Sequence, residues 1–335
     1  MSFYICIREV SAMEKNRQCY SGIGGQAVIE GVMMRCGEKY AIAMRAQDGR
    51  IEIKEDVYKG VLAGSPLRKV PFVRGFFALI DSLVLGMHCT NVSAELYGEE
   101  EEAGGPAEAP SGKDPGASPA KKEEESGWEM ILVMGFSILL AVGLFILLPL
   151  GLTSLLGRVV KSPAVLAIAE GLLRLAIFLA YVTGISALKD IRRLYQYHGA
   201  EHKCINCIES GLPLTVENAA GSTRLHKRCG SSFLLFVMMI SMILFFFIRV
   251  GNPLLKVVVR LLMIPVVSGI SFEIIRLAGA SDNPFIRIIS APGLWLQRLT
   301  TREPDEEMLK VGIASVEAVF DWRAYQEKTF GAQTS

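Results

Sequence analysis

Two histidines and a glutamate in one short segment have types and spacing that suit metal chemistry. His198, Glu201 and His202 stand as H-x-x-E-H within a polar stretch, residues 197–230, between two long apolar blocks. On a helix, residues four apart share a face, so both imidazoles would lie one turn apart with the carboxylate beside them. This order is that of an inverted zinc-peptidase motif, with two histidine ligands, a glutamate as general base and a third ligand further along the chain.

The first interpretation of this segment is an open, hydrolytic Zn²⁺ site. His198 and His202 bind the ion, and Glu201 activates a water molecule whose pKa the metal lowers. Arg228 is a candidate for stabilising an oxyanion, because its guanidinium is always charged. Four residues are candidates for the third ligand: Glu209, Glu217, His226 and Cys229.

Two other interpretations use the same segment. Cys204-x-x-Cys207 together with His226-x-x-Cys229 could form a closed, tetrahedral structural site with no free position. Alternatively, the residues form a hydrogen-bonded polar cluster without metal, in which Glu201 and Glu209 pair with basic neighbours.

Composition places this segment in a membrane protein. Of the 335 residues, 51% are hydrophobic and the mean hydropathy is +0.36, which exceeds the usual value for soluble domains. The formal net charge of +1 supplies no global field that would attract nucleic acid. Four apolar runs are candidates to cross a bilayer, and they lie at residues 131–156, 165–188, 233–248 with its flanks, and 254–278.

The remaining patterns predict an α+β membrane protein, in which a small β-rich domain precedes a bundle of about four transmembrane helices. Alternating residues at 40–45 and 50–54, around Asp48-Gly49, indicate strands. Residues 70–97 have helical spacing and fit a helix at the membrane surface or packed on the β-domain. We expect a β-rich domain with this helix at 1–97, a disordered acidic linker at 98–127, a transmembrane domain at 128–300 and an amphipathic C-terminal helix at 301–335.

Loop charge predicts the orientation. The segment between the second and third spans is rich in lysine and arginine, whereas the segment between the first two spans offers Arg158 and Lys161. The H-x-x-E-H segment, 197–230, is therefore expected in the cytoplasm. With four spans, both termini of this multi-pass cell-membrane protein are also cytoplasmic, where the seven cysteines stay reduced.

Several longer motifs resemble one known family over nearly the whole chain. They include GGQAVIEGVMMR (24–35), VPFVRGFFALIDSL (70–83), YHGAEHK (197–203), LHKRCGSSFL (225–234), SFEIIRLAG (271–279) and TTREPDEEMLKVGIAS (300–315). At these residues the chain is similar to the YqhQ-like bacterial membrane proteins, a domain of unknown function (DUF1385) sometimes labelled as predicted metal-dependent enzymes. The resemblance implies a site of seven residues that does not include Cys204 and Cys207: His198, Glu201, His202, Glu209, His226, Arg228 and Cys229.

Two functions from different classes are compatible with these patterns. One is a zinc-dependent hydrolase, most simply a peptidase, with its site on the cytoplasmic side of the bilayer. The other is a non-catalytic scaffold or assembly factor that docks a protein partner on its cytoplasmic face, with the histidine segment as a structural staple. Transport is disfavoured, because no inverted repeat is evident.

Overall fold

The computed structural model describes residues 19–46, 48–103, 127–248, 250–280 and 283–331. A four-stranded sheet comes first and helices follow, as the predicted α+β class requires. The strands are β1 Ile23–Val28, β2 Gly31–Cys36, β3 Lys39–Arg45 and β4 Ile51–Val57. The helices are α1 Val73–Ala103, α2 Gly127–Val142, α3 Leu148–Leu156, α4 Pro163–Ile185, α5 Lys189–Glu209, α6 Val216–Gly221, α7 Gly230–Phe247, α8 Pro253–Leu262, α9 Ile264–Ala280, α10 Pro284–Thr300, α11 Glu306–Val319 and α12 Trp322–Phe330.

The sheet is an antiparallel meander in which every strand pairs with the next one along the chain. The predicted strands at 40–45 and 50–54 are confirmed as β3 and β4, and Gly49 provides the left-handed backbone that their turn requires (φ +86°). Glu30, in the turn before β2, pairs with Arg193 and accepts a hydrogen bond from the Tyr197 hydroxyl at 3.2 Å. Arg35, which is closer to Glu30 in the chain, donates to the Gly37 carbonyl instead.

Both faces of the sheet are covered, because successive side chains of a strand point to opposite sides. Val32 and Met34 belong to a core that also contains residues of α5 and α11. Met33 and Ile42 point the other way, into a core that α1 completes with Leu85, Cys89 and Val92. The predicted helix at 70–97 is therefore packed on the sheet.

The chain divides into two compact units. The first comprises residues 1–101, 182–237 and 263–335, so it holds the sheet together with α5 and α11. The second comprises residues 102–181 and 238–262. Most of the predicted linker, residues 104–126, lies outside the described residues, and its disorder stays a prediction.

Four of the described helices are long and apolar enough to cross a membrane: Val73–Tyr97, Gly135–Leu156, Pro163–Ile185 and Gly230–Phe247. A fifth candidate is the pair Leu254–Leu262 and Ile264–Gly279, which bends by 42°. The last three predicted spans correspond to α4, α7 and this bent pair, and the first corresponds to α2 and α3.

In the C-terminal region α11 corresponds to the predicted amphipathic helix, and a shorter helix, α12, follows it. Asp305 caps α11 by accepting from the Met308 N–H, and Asp321 caps α12 by accepting from the Ala324 N–H. The second cap starts a new helix after Phe320, where the backbone becomes extended. Upstream, Pro292 lies inside α10 and does not interrupt it, although Ala291-Pro292-Gly293 predicts a break.

Candidate metal centre

The H-x-x-E-H motif lies in the C-terminal half of α5, and that half is almost wholly buried. The ring centroids of His198 and His202 are 4.4 Å apart, as the i,i+4 spacing on a helix predicts. Gly199 allows the segment after α10 to pass directly over α5, because a Cβ at this position would lie 2.0 Å from the Arg302 carbonyl oxygen. This close approach brings backbone groups at the end of α10, such as the Thr300 carbonyl, to the motif.

Cys229 joins the two histidines from the residue immediately before α7. Its Sγ lies 3.2 Å from His198 Nε2, and the ligand atoms of all three residues lie within 4.8 Å of one another. Zinc–nitrogen and zinc–sulfur bonds of about 2.0–2.3 Å place tetrahedral ligand atoms about 3–4 Å apart, so one ion fits among them. His198, His202 and Cys229 could therefore hold a metal ion.

Backbone carbonyls orient both imidazoles. His198 Nδ1 is 2.8 Å from the Thr300 oxygen, and His202 Nδ1 is 2.7 Å from the Arg224 oxygen. Because a carbonyl only accepts, each Nδ1 carries a proton, and each Nε2 faces the site. Metal-bound histidines characteristically have such a partner on the second nitrogen.

The electrostatics of the cluster favour a thiolate. Burial by itself raises the pKa of the Cys229 thiol, but the charges of His198 and His202 outweigh it and hold that pKa well below its usual range. A thiolate is the form of cysteine that binds metal. Two nitrogens and one sulfur form a donor set that zinc accepts, with a fourth position left over.

Glu201 is the unpaired acid of the site. Its side chain is buried, and Oε2 is among the few buried polar atoms of the described residues without a hydrogen-bond partner. Burial raises the pKa of Glu201 above its usual value, although the His198 and His202 charges and the Gly25 N–H oppose this. A carboxylate held in this way is a candidate acid or base.

A second cluster lies beside the triad. Glu209 forms an ion pair with Arg228 and also accepts from the N–H and hydroxyl of Ser21 at 2.9 and 2.8 Å. His226 Nε2 is 3.4 Å from the Glu209 carboxylate, and the His226 ring lies 5.6 Å from that of His202.

The two clusters divide the predicted site residues. Of the four candidates for a third ligand, the structure brings Cys229 into reach of both histidines. Glu209 and His226 pair with each other, and Glu217 is exposed on α6. Arg228 stacks on the Tyr20 ring at 4.0 Å and faces Glu209, so an oxyanion role for it stays a prediction.

The closed four-ligand site is not assembled. Cys204 and Cys207 lie in the apolar core that α5 shares with the sheet and α11. Burial raises the pKa of both thiols, that of Cys207 to about 11, so both stay protonated. The Cys207 thiol donates a hydrogen bond to the Pro213 carbonyl at 3.4 Å.

The sequence motifs miss the backbone groups that complete the site. The Thr300 and Arg224 carbonyls carry no signal in their side chains. Gly25 of β1 is more informative, because a Cβ there would lie 2.6 Å from the Met33 oxygen and 3.0 Å from Glu201 Cγ. A glycine permits such a close backbone approach because it has no Cβ, and the structure identifies Glu201 and β2 as what approaches it.

Comparisons with known proteins agree with the motif resemblance. The model of the family described as "Protein of unknown function (DUF1385)" matches residues 70–322. The chain is 36% identical over 313 residues to "Uncharacterized protein YqhQ" of Bacillus subtilis (strain 168), covering 91% of this chain and 94% of that protein. No solved structure matches the chain. The extent of both similarities shows that the chain belongs to the DUF1385 family.

Proposed function

We propose that the chain is an integral membrane protein that holds Zn²⁺ on its cytoplasmic side and acts as a metal-dependent hydrolase, most simply a peptidase. The observation that carries this proposal is the convergence of His198, His202 and Cys229 beside the buried, unpaired carboxylate of Glu201. Imidazole and thiolate together suit zinc better than harder ions such as Mg²⁺ or Ca²⁺.

Each residue has a role that its contacts support. The Nε2 atoms of His198 and His202 and the Sγ atom of Cys229 hold the ion. When bound, zinc supplies Lewis-acid polarisation and brings the pKa of a water in its remaining position toward neutrality. Glu201 takes a proton at Oε2, and the pKa elevation that burial causes brings this group nearer to physiological pH.

Packing of the sheet supports a topology of four spans. The sheet, α5 and α11 share one core, so all three lie on one side of any bilayer. An even number of crossings must therefore separate β4 from α5, and another even number must separate α5 from α11. The continuous run α2–α3 together with α4 satisfies the first condition, and α7 with the bent pair α8–α9 satisfies the second. If α1 also crossed the bilayer, the number of crossings between β4 and α5 would be odd.

Metal analysis of the purified, full-length protein tests the zinc site. We expect close to one zinc per chain in the wild type and in Cys204→Ser, and a loss of most of it in Cys229→Ser and in His198→Ala with His202→Ala. Cys204 is the matched control because its thiol lies on the same helix as the histidines but in the core. Metal content that is equal in Cys229→Ser and Cys204→Ser would exclude the triad as the site.

Cobalt substitution tests the open position and Glu201. A Co²⁺-loaded protein should show a thiolate-to-cobalt absorption that disappears in Cys229→Ser. Added azide should change the cobalt spectrum, since a three-ligand site leaves room for it. Glu201→Gln should keep the metal and the azide response, while the pH dependence of the cobalt spectrum shifts. A spectrum that does not respond to azide would indicate a closed site.

Burial of the triad favours a second candidate, a non-catalytic scaffold in which the ion acts as a staple. His202 is 1% exposed and Cys229 5%, which leaves little room for a substrate. The triad joins α5 to the start of α7, and His198 also joins α5 to the end of α10, so a bound ion would fix three elements. In this case Glu201→Gln should complement a deletion strain as well as the wild type does, whereas Cys229→Ser should not.

A further inference from the structure

Three basic side chains surround one carboxylate in the second compact unit. Glu170 of α4 is contacted by Arg174 at 3.2 Å, by Lys256 of α8 at 2.8 Å and by Arg260 of α8. The side chains of Glu170, Arg174 and Arg260 are only 4%, 9% and 7% exposed. From the sequence, an i,i+4 pair of Glu170 with Arg174 is expected to neutralise itself, but α8 adds two more cations.

The cluster carries an excess of positive charge. Its three buried members sum to +1, and Lys256, whose side chain is 29% exposed, raises the total to +2. Burying an uncompensated charge among apolar helices costs several kcal/mol. In addition, the Nε atom of Arg174 is buried without a hydrogen-bond partner. Both observations point to an anion as the missing partner.

An aromatic ring holds the two guanidinium groups together. Arg174 and Arg260 lie over the ring of Phe245 at 5.6 and 5.2 Å from its centroid. A cation–π contact offsets part of the repulsion between like charges without supplying a counter-charge. Arginine pairs of this kind recognise phosphate through several parallel N–H donors.

A pocket of about 460 Å³ opens at this cluster, and all of its lining residues belong to the second unit. Arg174, Lys256 and Arg260 line it together with apolar side chains such as Leu166 and Met242. This size falls within the range of small-molecule sites. A charged head beside an apolar wall matches a ligand that has an anionic group and a hydrocarbon portion.

We propose that this pocket is a binding site for a phosphate-class oxyanion, carried by a lipid headgroup or free in solution. Arg174 and Arg260 bind the phosphate oxygens, Lys256 adds charge at the rim, and Glu170 neutralises only part of the positive charge. This site shares no residue with the metal centre, so neither proposal depends on the other.

Binding to the purified, full-length protein in non-ionic detergent tests the site. Native mass spectrometry would measure the occupancy by phosphatidylglycerol and by phosphatidylcholine, a zwitterionic lipid. Competition with inorganic phosphate would distinguish the sources, because displacement of the lipid shows that the oxyanion alone suffices. We expect phosphatidylglycerol and inorganic phosphate to bind, and phosphatidylcholine to bind much more weakly, because its choline cation is repelled by the positive cluster.

Charge variants give effects of opposite sign. Arg174→Gln and Arg260→Gln should each weaken binding about tenfold or more, since each removes a charge-assisted contact. Glu170→Gln should strengthen binding, because it removes the competing carboxylate. Arg158→Gln is the matched control, as it removes an exposed cation of the same unit outside the pocket.

A pocket-filling variant covers the case in which an arginine variant does not fold. Ala167→Phe keeps every charge and should block a lipid by occupying the apolar part. Equal occupancy by both lipids, or equal weakening in Arg158→Gln and Arg174→Gln, would overturn the proposal. Unchanged binding in Cys229→Ser is expected, so a failure of the metal centre would not be mistaken for a failure of this site.

Discussion

At the scale of single residues, environment decides what each cysteine can do. Cys204, Cys207 and Cys229 are all buried and all lie in or near the H-x-x-E-H segment. Only Cys229 has two imidazoles beside its sulfur, so its thiol ionises readily. Cys204 and Cys207 face apolar neighbours and remain thiols. The same residue type is therefore available to bind a metal ion at one position and packs in the core at two others.

Cys207 should make stability depend on alkaline pH. Because burial raises its pKa from 9.0 to about 11, the unfolded chain loses this proton first as the pH rises. Below pH 9 the protonated Cys207 thiol makes its full contribution to the free energy of unfolding. Between pH 9 and 11 this contribution is lost, which lowers the free energy of unfolding by about 1–3 kcal/mol. Urea unfolding of the wild type and Cys207→Ala at pH 8 and pH 10.5 measures this. Between pH 8 and pH 10.5 the free energy of unfolding should fall more in the wild type than in Cys207→Ala. An equal fall in the two proteins would contradict the expectation.

Glu209 should stabilise the fold without binding the ion. Glu209→Gln leaves the Arg228 guanidinium without its charge partner, at a cost of about 2–4 kcal/mol. Zinc content should stay at the wild-type value, because the triad does not include this residue. Glu217→Gln, at an exposed position, is the control and should change neither quantity. Loss of zinc in Glu209→Gln would restore Glu209 as a ligand.

At the scale of elements, α5 organises the first unit. One side of it carries the histidines, and its core residues pack against β1, β2 and α11. The segment after α10 crosses it at Gly199, and this crossing brings the Thr300 carbonyl to His198. The geometry of the metal centre thus depends on how closely two elements approach.

Gly199→Ala tests this dependence. The added methyl group would overlap the Arg302 carbonyl, so the two segments must separate, and we expect a loss of about 1–3 kcal/mol in unfolding free energy. Weaker zinc binding should accompany it, because the Thr300 contact with His198 is disturbed. Gly184→Ala, inside α4 with open space around its Cβ position, is the control and should not destabilise the protein. Equal effects of the two substitutions would show that the crossing is not tight.

At the scale of the whole molecule, packing restricts how the chain can cross a bilayer. The sheet lies before α1 in the chain, and α5 and α11 lie after several apolar helices, yet all three share one core. This requires an even number of crossings between the sheet and α5, and an even number between α5 and α11. Val73–Tyr97 is apolar enough to be a candidate span, and the same helix packs on the sheet.

Cysteine labelling in intact cells tests the four-span topology. Arg158→Cys and Asn252→Cys lie in the turns that follow α3 and precede α8, and an impermeant maleimide should label them from outside. Glu55→Cys and Glu217→Cys should be labelled only after permeabilisation. All four positions are exposed in the fold, so access depends on the bilayer. Labelling of Glu55→Cys in intact cells would contradict this topology.

Local features of this protein follow from its residue patterns alone. Periodicity located β3, β4 and the apolar helices, and the i,i+4 spacing put His198 and His202 on one helical face. Such features depend on residues that are only a few positions apart in the chain, so the sequence pattern is sufficient to predict them. Residues 301–335 show the limit, because the predicted amphipathic helix is followed by a second helix that begins after the Asp321 cap.

Which distant groups meet could be seen only in the folded chain. It selected Cys229 rather than Glu209 or His226 to join the histidines, and it brought Gly25 to Glu201 across the packed face of the sheet. It also paired Glu30 with Arg193 instead of the nearby Arg35. These contacts depend on the packing of elements that are far apart in the chain. Composition and local spacing therefore do not predict which residues contact each other.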